Sequence, residues 1–334
     1  MRDSRIQFGI LGCGMIANVH ADAIKRIPEA ILTGVAGTDM AMTEQFARKY
    51  GIQAYNNYDQ MLKDDKIDVI CICTPSGFHA QHAIQAMETG KHVVLEKPMA
   101  LDTKNADEII SVCEKTGKHL TVISQLRFSE DIIRVKKLLA DGVFGKVSLC
   151  SLYMKYYRSP EYYSSSEWKG TKRFDGGGAL MNQGIHGVDL LEYIVGSIKD
   201  VKGKIGTLCH QIEVEDTAVA MLEFQNGALG VIEASTCAYP GFERRIEIHG
   251  DRGYVVLKEN NIEKMMIDGE VIETRSLDVA GTAREPAAVQ SDMHLLQIKN
   301  LIGAIKGNEK LLVDCFEGRN AVRVIEEIYR CDNG

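Results

Sequence analysis

The sequence predicts a two-domain α/β protein: an N-terminal doubly wound Rossmann domain followed by a C-terminal α+β domain built on a large, mostly antiparallel open sheet. Three observations carry this prediction. Short apolar runs alternate with helix-periodic segments up to residue 124, the pattern of a parallel sheet covered by helices on both faces. Beyond it, strand-like segments follow one another across turn pairs such as Gln225-Asn-Gly227 and Gly250-Asp-Arg-Gly253, the pattern of antiparallel pairing. A chain of 334 residues also exceeds what one core usually organises. The domains are expected at 1–124 and 125–334.

Composition narrows the class. The chain is 45% apolar and 25% charged, with no run of eighteen apolar residues, so no membrane span is expected. Its start, Met1-Arg-Asp-Ser-Arg5, is too polar for a signal peptide, and a cytoplasmic location is expected. A net charge of −7 without a basic cluster argues against nucleic acid as the partner. The nine cysteines are scattered, and the nearest pair, Cys71 and Cys73, shares one face of a strand. With no Cys-x-x-Cys spacing, they read as reduced, buried hydrophobes, and no metal site is expected.

Ile6 to Leu11 forms the first strand and runs into Gly12-Cys-Gly14-Met-Ile-Ala17, after which Ile16, His20, Ala23, Ile24 and Ile27 repeat at helical spacing. Gly12 permits a tight turn, Gly14 lets backbone approach a pyrophosphate, and Ala17 lets helix and strand pack closely. Gly12, Gly14, Met15 and Ile16 are therefore expected at a dinucleotide, whose phosphates the helix N-terminus attracts. A second strand, Ile31 to Ala36, leads to Asp39, placed to accept hydrogen bonds from a ribose diol and to repel a 2′-phosphate. That favours NAD, with NADP possible because Thr38 adjoins it. Asp39 is equally suited to cap the next helix.

Alternation continues through a helix to Tyr50, a short strand near Ile52, a helix over Tyr58 to Leu62, and the strand Ile67 to Cys73, which ends in Thr74-Pro-Ser-Gly77. A helix carrying His79, His82, Ala83 and Met87 follows. Then comes His92-Val-Val-Leu-Glu-Lys-Pro98, an apolar run that stops at a carboxylate, an amine and a proline. The residue before a proline is held extended, so Lys97 leaves the strand's carboxyl end in a restricted direction, at the edge where open α/β sheets bind ligands. One more helix and the strand His119 to Ser124 complete the half.

Gly12-Cys-Gly14-Met-Ile-Ala17, Cys73-Thr-Pro-Ser-Gly-Phe-His79 and Glu96-Lys97-Pro98, at these separations, resemble the Gfo/Idh/MocA oxidoreductases, the group named for glucose-fructose oxidoreductase and inositol dehydrogenase. The resemblance covers nearly the whole chain. It implies that Thr74, Pro75, His79, Glu96 and Lys97 lie along the cofactor.

In the second half a helix is expected from Gln125-Leu-Arg127-Phe128 to Leu139. Strands follow over Lys146 to Tyr157, Val201 to Cys209, Thr217 to Phe224, Ala228 to Thr236, Arg245 to His249 and Tyr254 to Leu257. Two helices, about 293–305 and 317–330, close the chain. An uncovered sheet face predicts a homodimer or homotetramer joined through the C-terminal sheet. If the stretch after Gly178 is an α-helix, Asn182 and His186 share one face, with Asp189 next to them. Taken alone, His186 is at least as often a satisfied core histidine, and Asp189 the partner of a nearby base. The resemblance reverses this for His186, because family members carry an Asp and a His at this spacing as substrate-facing residues. Position 182 departs from that pattern by being Asn, so no carboxylate there supports His186.

The long polar-aromatic segment from Lys155 to Asp175 holds Arg158, Tyr162, Tyr163, Trp168 and Lys172. It suits a sugar or a phosphorylated sugar, and equally an oligomer contact. Lys97, Arg127, Arg158, Trp168, Asn182 and His186 are the expected substrate contacts. The implied reaction is hydride transfer between nicotinamide and a secondary hydroxyl or ketone of a sugar, cyclitol or nucleotide sugar, with Lys97 and His186 catalytic. Lys97 would take the hydroxyl proton, since burial and a cationic nicotinamide both disfavour an ammonium. Other readings are an NAD-using glycosidase, an oxidoreductase of cyclic imines or dihydrodiols, and a non-catalytic dinucleotide-sensing regulator.

Overall fold

The computed structural model describes residues 4–272 and 291–332. The chain divides into two compact units, one of Met1–Gln125 with Val289–Arg319, the other of Leu126–Ala288 with Asn320–Gly334.

In the first unit, strands β1 (Ile6–Leu11), β2 (Ala30–Ala36), β3 (Gln53–Tyr55), β4 (Val69–Ile72), β5 (His92–Leu95) and β6 (Leu120–Val122) form a parallel sheet in the order β3-β2-β1-β4-β5-β6. Helices α1 (Met15–Lys25), α2 (Met40–Tyr50), α3 (Tyr58–Leu62), α4 (His79–Glu88) and α5 (Thr103–Thr116) are the crossovers. Strand order reverses between β1 and β4, so the carboxyl ends of these two strands flank the crevice such sheets use for ligands. Phe8, Ile10, Val35, Val69, Cys71 and Val94 form a core with Ala17, Ala21 and Ile24 of α1. Each large aliphatic side chain removed from water there contributes about 1.5–3 kcal/mol.

Helix α9 (Asp292–Ile305) was expected with the second domain, and here the structure differs. Leu295, Ile298, Leu301 and Ile302 complete the first unit's core. Gln297, fully buried, donates to Thr121 Oγ1 (2.9 Å) and the Val122 carbonyl (2.7 Å) and accepts from the Ser124 amide (3.1 Å). That side chain satisfies the polar groups at the end of β6, so the helix is held by a strand nearly 180 residues earlier.

The second unit contains α6 (Glu130–Ala140), β7 (Val147–Lys155), α7 (Pro160–Ser164), α8 (Ile185–Val195), and seven strands before α9: β8 (Ile198–Gly206), β9 (Thr217–Phe224), β10 (Leu229–Ser235), β11 (Arg245–Gly250), β12 (Gly253–Lys258), β13 (Asn261–Ile267) and β14 (Glu270–Val271). The last helix, α10 (Cys315–Asp332), begins in the first unit and ends in the second. The eight strands run β14-β13-β12-β11-β7-β10-β9-β8, and all pairs are antiparallel except β7 with β10. On one face Cys150, Leu152, Ala218, Ala220, Leu222, Ile232, Ile246 and Ile248 are buried. On the other, Leu149, Val219, Met221 and Leu229 are exposed. Among the described residues no helix is long and apolar enough to cross a membrane.

Candidate active site

The carboxyl edge of the parallel sheet is built from turns that only certain residues can make. Gly12 has φ +107°, and a Cβ there would stand 2.6 Å from the Cys73 carbonyl oxygen, so the end of β1 can lie against the end of β4 only if the residue is glycine. Gly14 is the N-cap of α1 and offers no side chain to its amides, while a Cβ on it would meet nothing within 4 Å. The result is a helix N-terminus with uncapped N–H groups facing open space, where a pyrophosphate fits. Met15 is exposed and Ile16 half-buried beside it. Across the sheet, exposed Asp39 caps α2, its Oδ1 accepting from the Met42 amide at 3.0 Å. The capping reading of Asp39 therefore holds, and its place after β2 is also the one a ribose would need.

Thr74, Pro75 and Lys97 are half-buried on the loops that follow β4 and β5. Two residues expected along the cofactor turn inward instead. His79 is 1% exposed, and its Nδ1 and Nε2 stand 2.7 Å from the Pro98 carbonyl and 2.9 Å from the Thr74 carbonyl. It is a strut between the two loops. Burial lowers its pKa, while the two carbonyls and the nearby Glu96 carboxylate oppose that change. Glu96 is likewise only 5% exposed: its Oε1 lies 2.7 Å from His20 Nε2 and 3.9 Å from His294 Nε2, and its Oε2 accepts from the Lys97 amide at 3.3 Å. Burial alone would raise the Glu96 pKa, but the hydrogen bond and charge of His20, with smaller contributions from His294 and Lys97, bring it down to about 2. Glu96 lies just past the end of β5 at Leu95 and His79 opens α4, so the strand period of two gives neither side chain's direction. Both side chains are engaged within the protein, where they hold the loop that presents Lys97.

The second unit, taken by itself, holds a different constellation. The segment after Gly178 opens as one π-helical turn, Ala179–Gly184, and only then becomes α8. Gly178 is required, since a Cβ there would fall 1.9 Å from the Glu215 carbonyl oxygen. Buried Glu215 accepts from the Gly178 amide (2.9 Å), the Leu180 amide (2.8 Å) and the Tyr329 hydroxyl (2.8 Å), and so fixes the turn. Wide π turns are common at functional positions. Asn182 and His186 are both half-buried on this stretch. Asn182 Nδ2 donates to Oδ1 of Asp175, a buried carboxylate that also accepts from the Gly170 amide at 2.8 Å. Position 182, an amide where the family pattern has an acid, thus holds a carboxylate from outside the motif by a hydrogen bond. Asp175 went unnoticed in the sequence because it stands in the polar segment before the glycines, with no periodic signal.

Two of the expected substrate contacts have internal partners. Arg127 is 2% exposed, and its Nε and Nη2 donate to Asp189 Oδ2 (3.0 Å) and Oδ1 (2.6 Å), with the guanidinium over the Tyr193 ring. Asp189 is thus the partner of a base, as expected. Arg158 is 4% exposed; Nε and Nη2 donate to Gln183 Oε1 (3.1 and 2.7 Å) and Nη1 to the Tyr157 carbonyl (2.8 Å). Gln183 Nε2 in turn donates to the Tyr162 hydroxyl (2.9 Å), so the polar-aromatic loop is fastened to the turn that carries Asn182. Trp168 is half-buried on that loop.

Residues 6–124 match the model of the Gfo/Idh/MocA oxidoreductase family, NAD-binding Rossmann fold, and residues 132–256 match the Gfo/Idh/MocA C-terminal domain. The chain belongs to the Gfo/Idh/MocA family. It is 27% identical to the myo-inositol 2-dehydrogenase of Thermotoga maritima over 75% of this chain and 74% of that one. It is 26% identical to the D-glucoside 3-dehydrogenase of Escherichia coli over 99% of this chain and 96% of that one. The crystal structure of the WlbA dehydrogenase from Bordetella pertussis with NADH and UDP-GlcNAcA superimposes with a TM-score of 0.89 at 31% identity, covering 100% of this chain and 97% of that one. This Gfo/Idh/MocA protein is an NAD(P)-dependent dehydrogenase acting on CH–OH groups, and its cofactor is of the NAD class. The Gly12 to Ile16 turn, with open space at Gly14, fits that dinucleotide.

Proposed function

We propose that the protein transfers hydride between NAD and a secondary hydroxyl of a nucleotide sugar. The observation that carries this reading is the polar-aromatic loop: it bears Lys169, Lys172 and Arg173 beside Tyr162 and Tyr163, and Gln183 ties it to the turn of Asn182. Cations for a diphosphate and rings for a base or sugar face are thereby joined to the segment that carries His186. The likeness to WlbA over the full chain, at 31% identity, points the same way.

In this proposal Lys97 takes the hydroxyl proton. The strut His79 and the anchored Glu96 hold the loop from both sides, so the amine is positioned without adjustment when substrate arrives. Bound NAD supplies the two-electron acceptor. His186 positions the hydroxyl, and Asn182, held by Asp175, presents its amide alongside. Asp39, by repelling a 2′-phosphate, favours NAD over NADP. The exposed apolar stripe of Leu149, Val219, Met221 and Leu229 is the surface through which copies of the chain would join.

The experiment is an absorbance assay of the reduced nicotinamide over UDP-sugars, free sugars, glycosides and inositols. UDP-sugars are expected to give a kcat/KM at least about 100-fold above free sugars, the difference that roughly 3 kcal/mol of diphosphate and base contacts produces. Preference for an inositol would remove the nucleotide-sugar reading. Sugar release without net cofactor reduction would make the protein a glycosidase.

A further inference from the structure

Cys209, His210, Asp216 and Cys237 come together at one end of the second sheet, in a place the reaction does not use. The topology brings them there. Strands β8 and β9 pair so that Gly206 faces Thr217, and β9 and β10 so that Thr217 faces Ser235; the turn after β8, the residue before β9 and the residues just after β10 therefore share one corner. The sulfurs of Cys209 and Cys237 and a carboxylate oxygen of Asp216 all lie within 4.8 Å of one another. His210 Nδ1 stands 3.3 Å from Asp216 Oδ2 and 3.5 Å from Cys237 Sγ.

The imidazole's other nitrogen fixes what Nδ1 can be. His210 Nε2 is 2.8 Å from the Arg158 carbonyl oxygen, which only accepts, so Nε2 carries a proton. In the neutral ring Nδ1 then presents a lone pair to a carboxylate oxygen and a sulfur. Three electron-rich atoms converging on one point are satisfied by a thiol proton or, with the thiols deprotonated, by a metal cation between them. A carbonyl behind the ring is also the usual support of a metal-binding histidine. Two separations, His210 Nδ1 to Asp216 Oδ2 and to Cys237 Sγ, match ligands on tetrahedral corners at zinc distances, about 3.4 Å apart for nitrogen and oxygen and about 3.6 Å for nitrogen and sulfur; Cys209, on the exposed turn, would move in to complete the set. Asp216 is held in place by the amides of Leu208 (2.9 Å), Cys209 (2.8 Å) and His210 (2.9 Å) and by the Thr217 hydroxyl (3.1 Å). It is fully buried, whereas Cys209 is exposed and leaves a way in for an ion.

We propose that Cys209, His210, Asp216 and Cys237 form a structural site for a zinc-type divalent metal. Two thiols, an imidazole and a carboxylate are a borderline-soft set that suits zinc and disfavours calcium or magnesium. Binding displaces the two thiol protons and leaves two thiolates on the metal, with no change of oxidation state. The consequence lies in the neighbouring loop: His210 is bonded to Arg158 and its ring stands 4.8 Å from Tyr163, whose hydroxyl is 3.0 Å from Thr236 Oγ1. The metal would pin the polar-aromatic loop to the sheet corner.

The test is a cobalt(II) titration of the full chain, stripped with chelator and kept under reductant. One cobalt per chain is expected, with thiolate charge-transfer absorption in the near ultraviolet and the strong visible bands of tetrahedral coordination, both abolished by zinc. Cys209→Ser, at an exposed position that tolerates the change, and His210→Ala should each weaken cobalt binding by about tenfold or more. Cys331→Ser, elsewhere on the surface, should leave it unchanged. Absence of stoichiometric cobalt in the reduced wild type overturns the proposal, and so does unaltered binding in Cys209→Ser. A Cys209–Cys237 disulfide that survives reductant, seen as two missing thiols on alkylation, overturns it too. Zinc protection of Cys209 from alkylation in the wild type provides a readout that needs no variant to fold.

Discussion

The imidazole of His20 stands 2.7 Å from the carboxylate of Glu96. One residue belongs to the helix behind the phosphate turn and the other immediately precedes Lys97, so a single buried contact links the expected cofactor cradle to the amine beside it. Replacing Glu96 by Ala leaves His20 buried without its carboxylate. Leaving a buried polar group without its partner costs about 1–3 kcal/mol, a sizeable part of the stability of a domain. Thermal unfolding should show a marked drop in Tm for Glu96→Ala; a wild-type Tm would mean that the pair contributes little.

The same contact sets an acid limit. The Glu96 pKa is lowered from 4.5 in the unfolded chain to about 2 in the fold, so its contribution is complete above pH 4.5 and is lost as the pH falls from there toward 2. Stability measured in denaturant from pH 5 to 2.5 should fall more steeply in the wild type than in Glu96→Gln. Parallel curves would show that other carboxylates control acid unfolding.

Lys97 tests the chemistry. General-base contributions are typically 10²–10⁴-fold, so Lys97→Ala should lose about that much in kcat while cofactor binding, followed by fluorescence of the reduced nicotinamide, changes little. A kcat within about tenfold of wild type would remove Lys97 from the mechanism.

Asp39 has two expected roles that separate experimentally. Its loss as an N-cap costs about 1 kcal/mol of stability, and its loss as a carboxylate should improve NADP relative to NAD. Asp39→Asn keeps an N-cap acceptor and removes the charge. It should hold the wild-type Tm and shift the ratio of kcat/KM values toward NADP; an unchanged ratio would leave capping as the residue's whole function.

Asn182 and Asp175 form a donor–acceptor pair, so Asn182→Asp sets two carboxylates against each other and forces them to share a proton. The shared proton's pKa is raised above an ordinary carboxylate's, and stability is lost as the pH rises through it. Asn182→Asp should therefore be less destabilised at pH 5 than at pH 8, and adding Asp175→Asn should relieve the conflict. If the double variant is as unstable as the single, the pairing is not the cause.

How much of this was legible beforehand depended on the kind of contact. Periodicity located β1, β9 and α3 to the residue, since each is a clean run bounded by turn residues. It missed β13, Asn261–Ile267, because Glu263 and Lys264 break the alternation. The motifs also announced their places in the fold: Gly12, Thr74 and Lys97 all stand where parallel strands end. Orientation was less accessible. Arg127 and Arg158 are long cations beside aromatic residues, and nothing local distinguishes one that meets a ligand from one that meets Asp189 or Gln183. Those partners lie 62 and 25 positions away, and only the folded backbone pairs them. The return of α9 to the first unit was hidden for the same reason.

Strand β7 lies in the interior of its sheet, yet both neighbours come much later: β10 begins at Leu229 and β11 at Arg245. During synthesis, then, the first strand of the second unit has two bare hydrogen-bonding edges until most of that unit has left the ribosome. Contacts this distant in sequence form slowly, and unpaired strands associate with one another while they wait. The yield of native protein should therefore depend on chaperone capacity and growth temperature, and the segment 147–155 is where misassembly between nascent chains would begin.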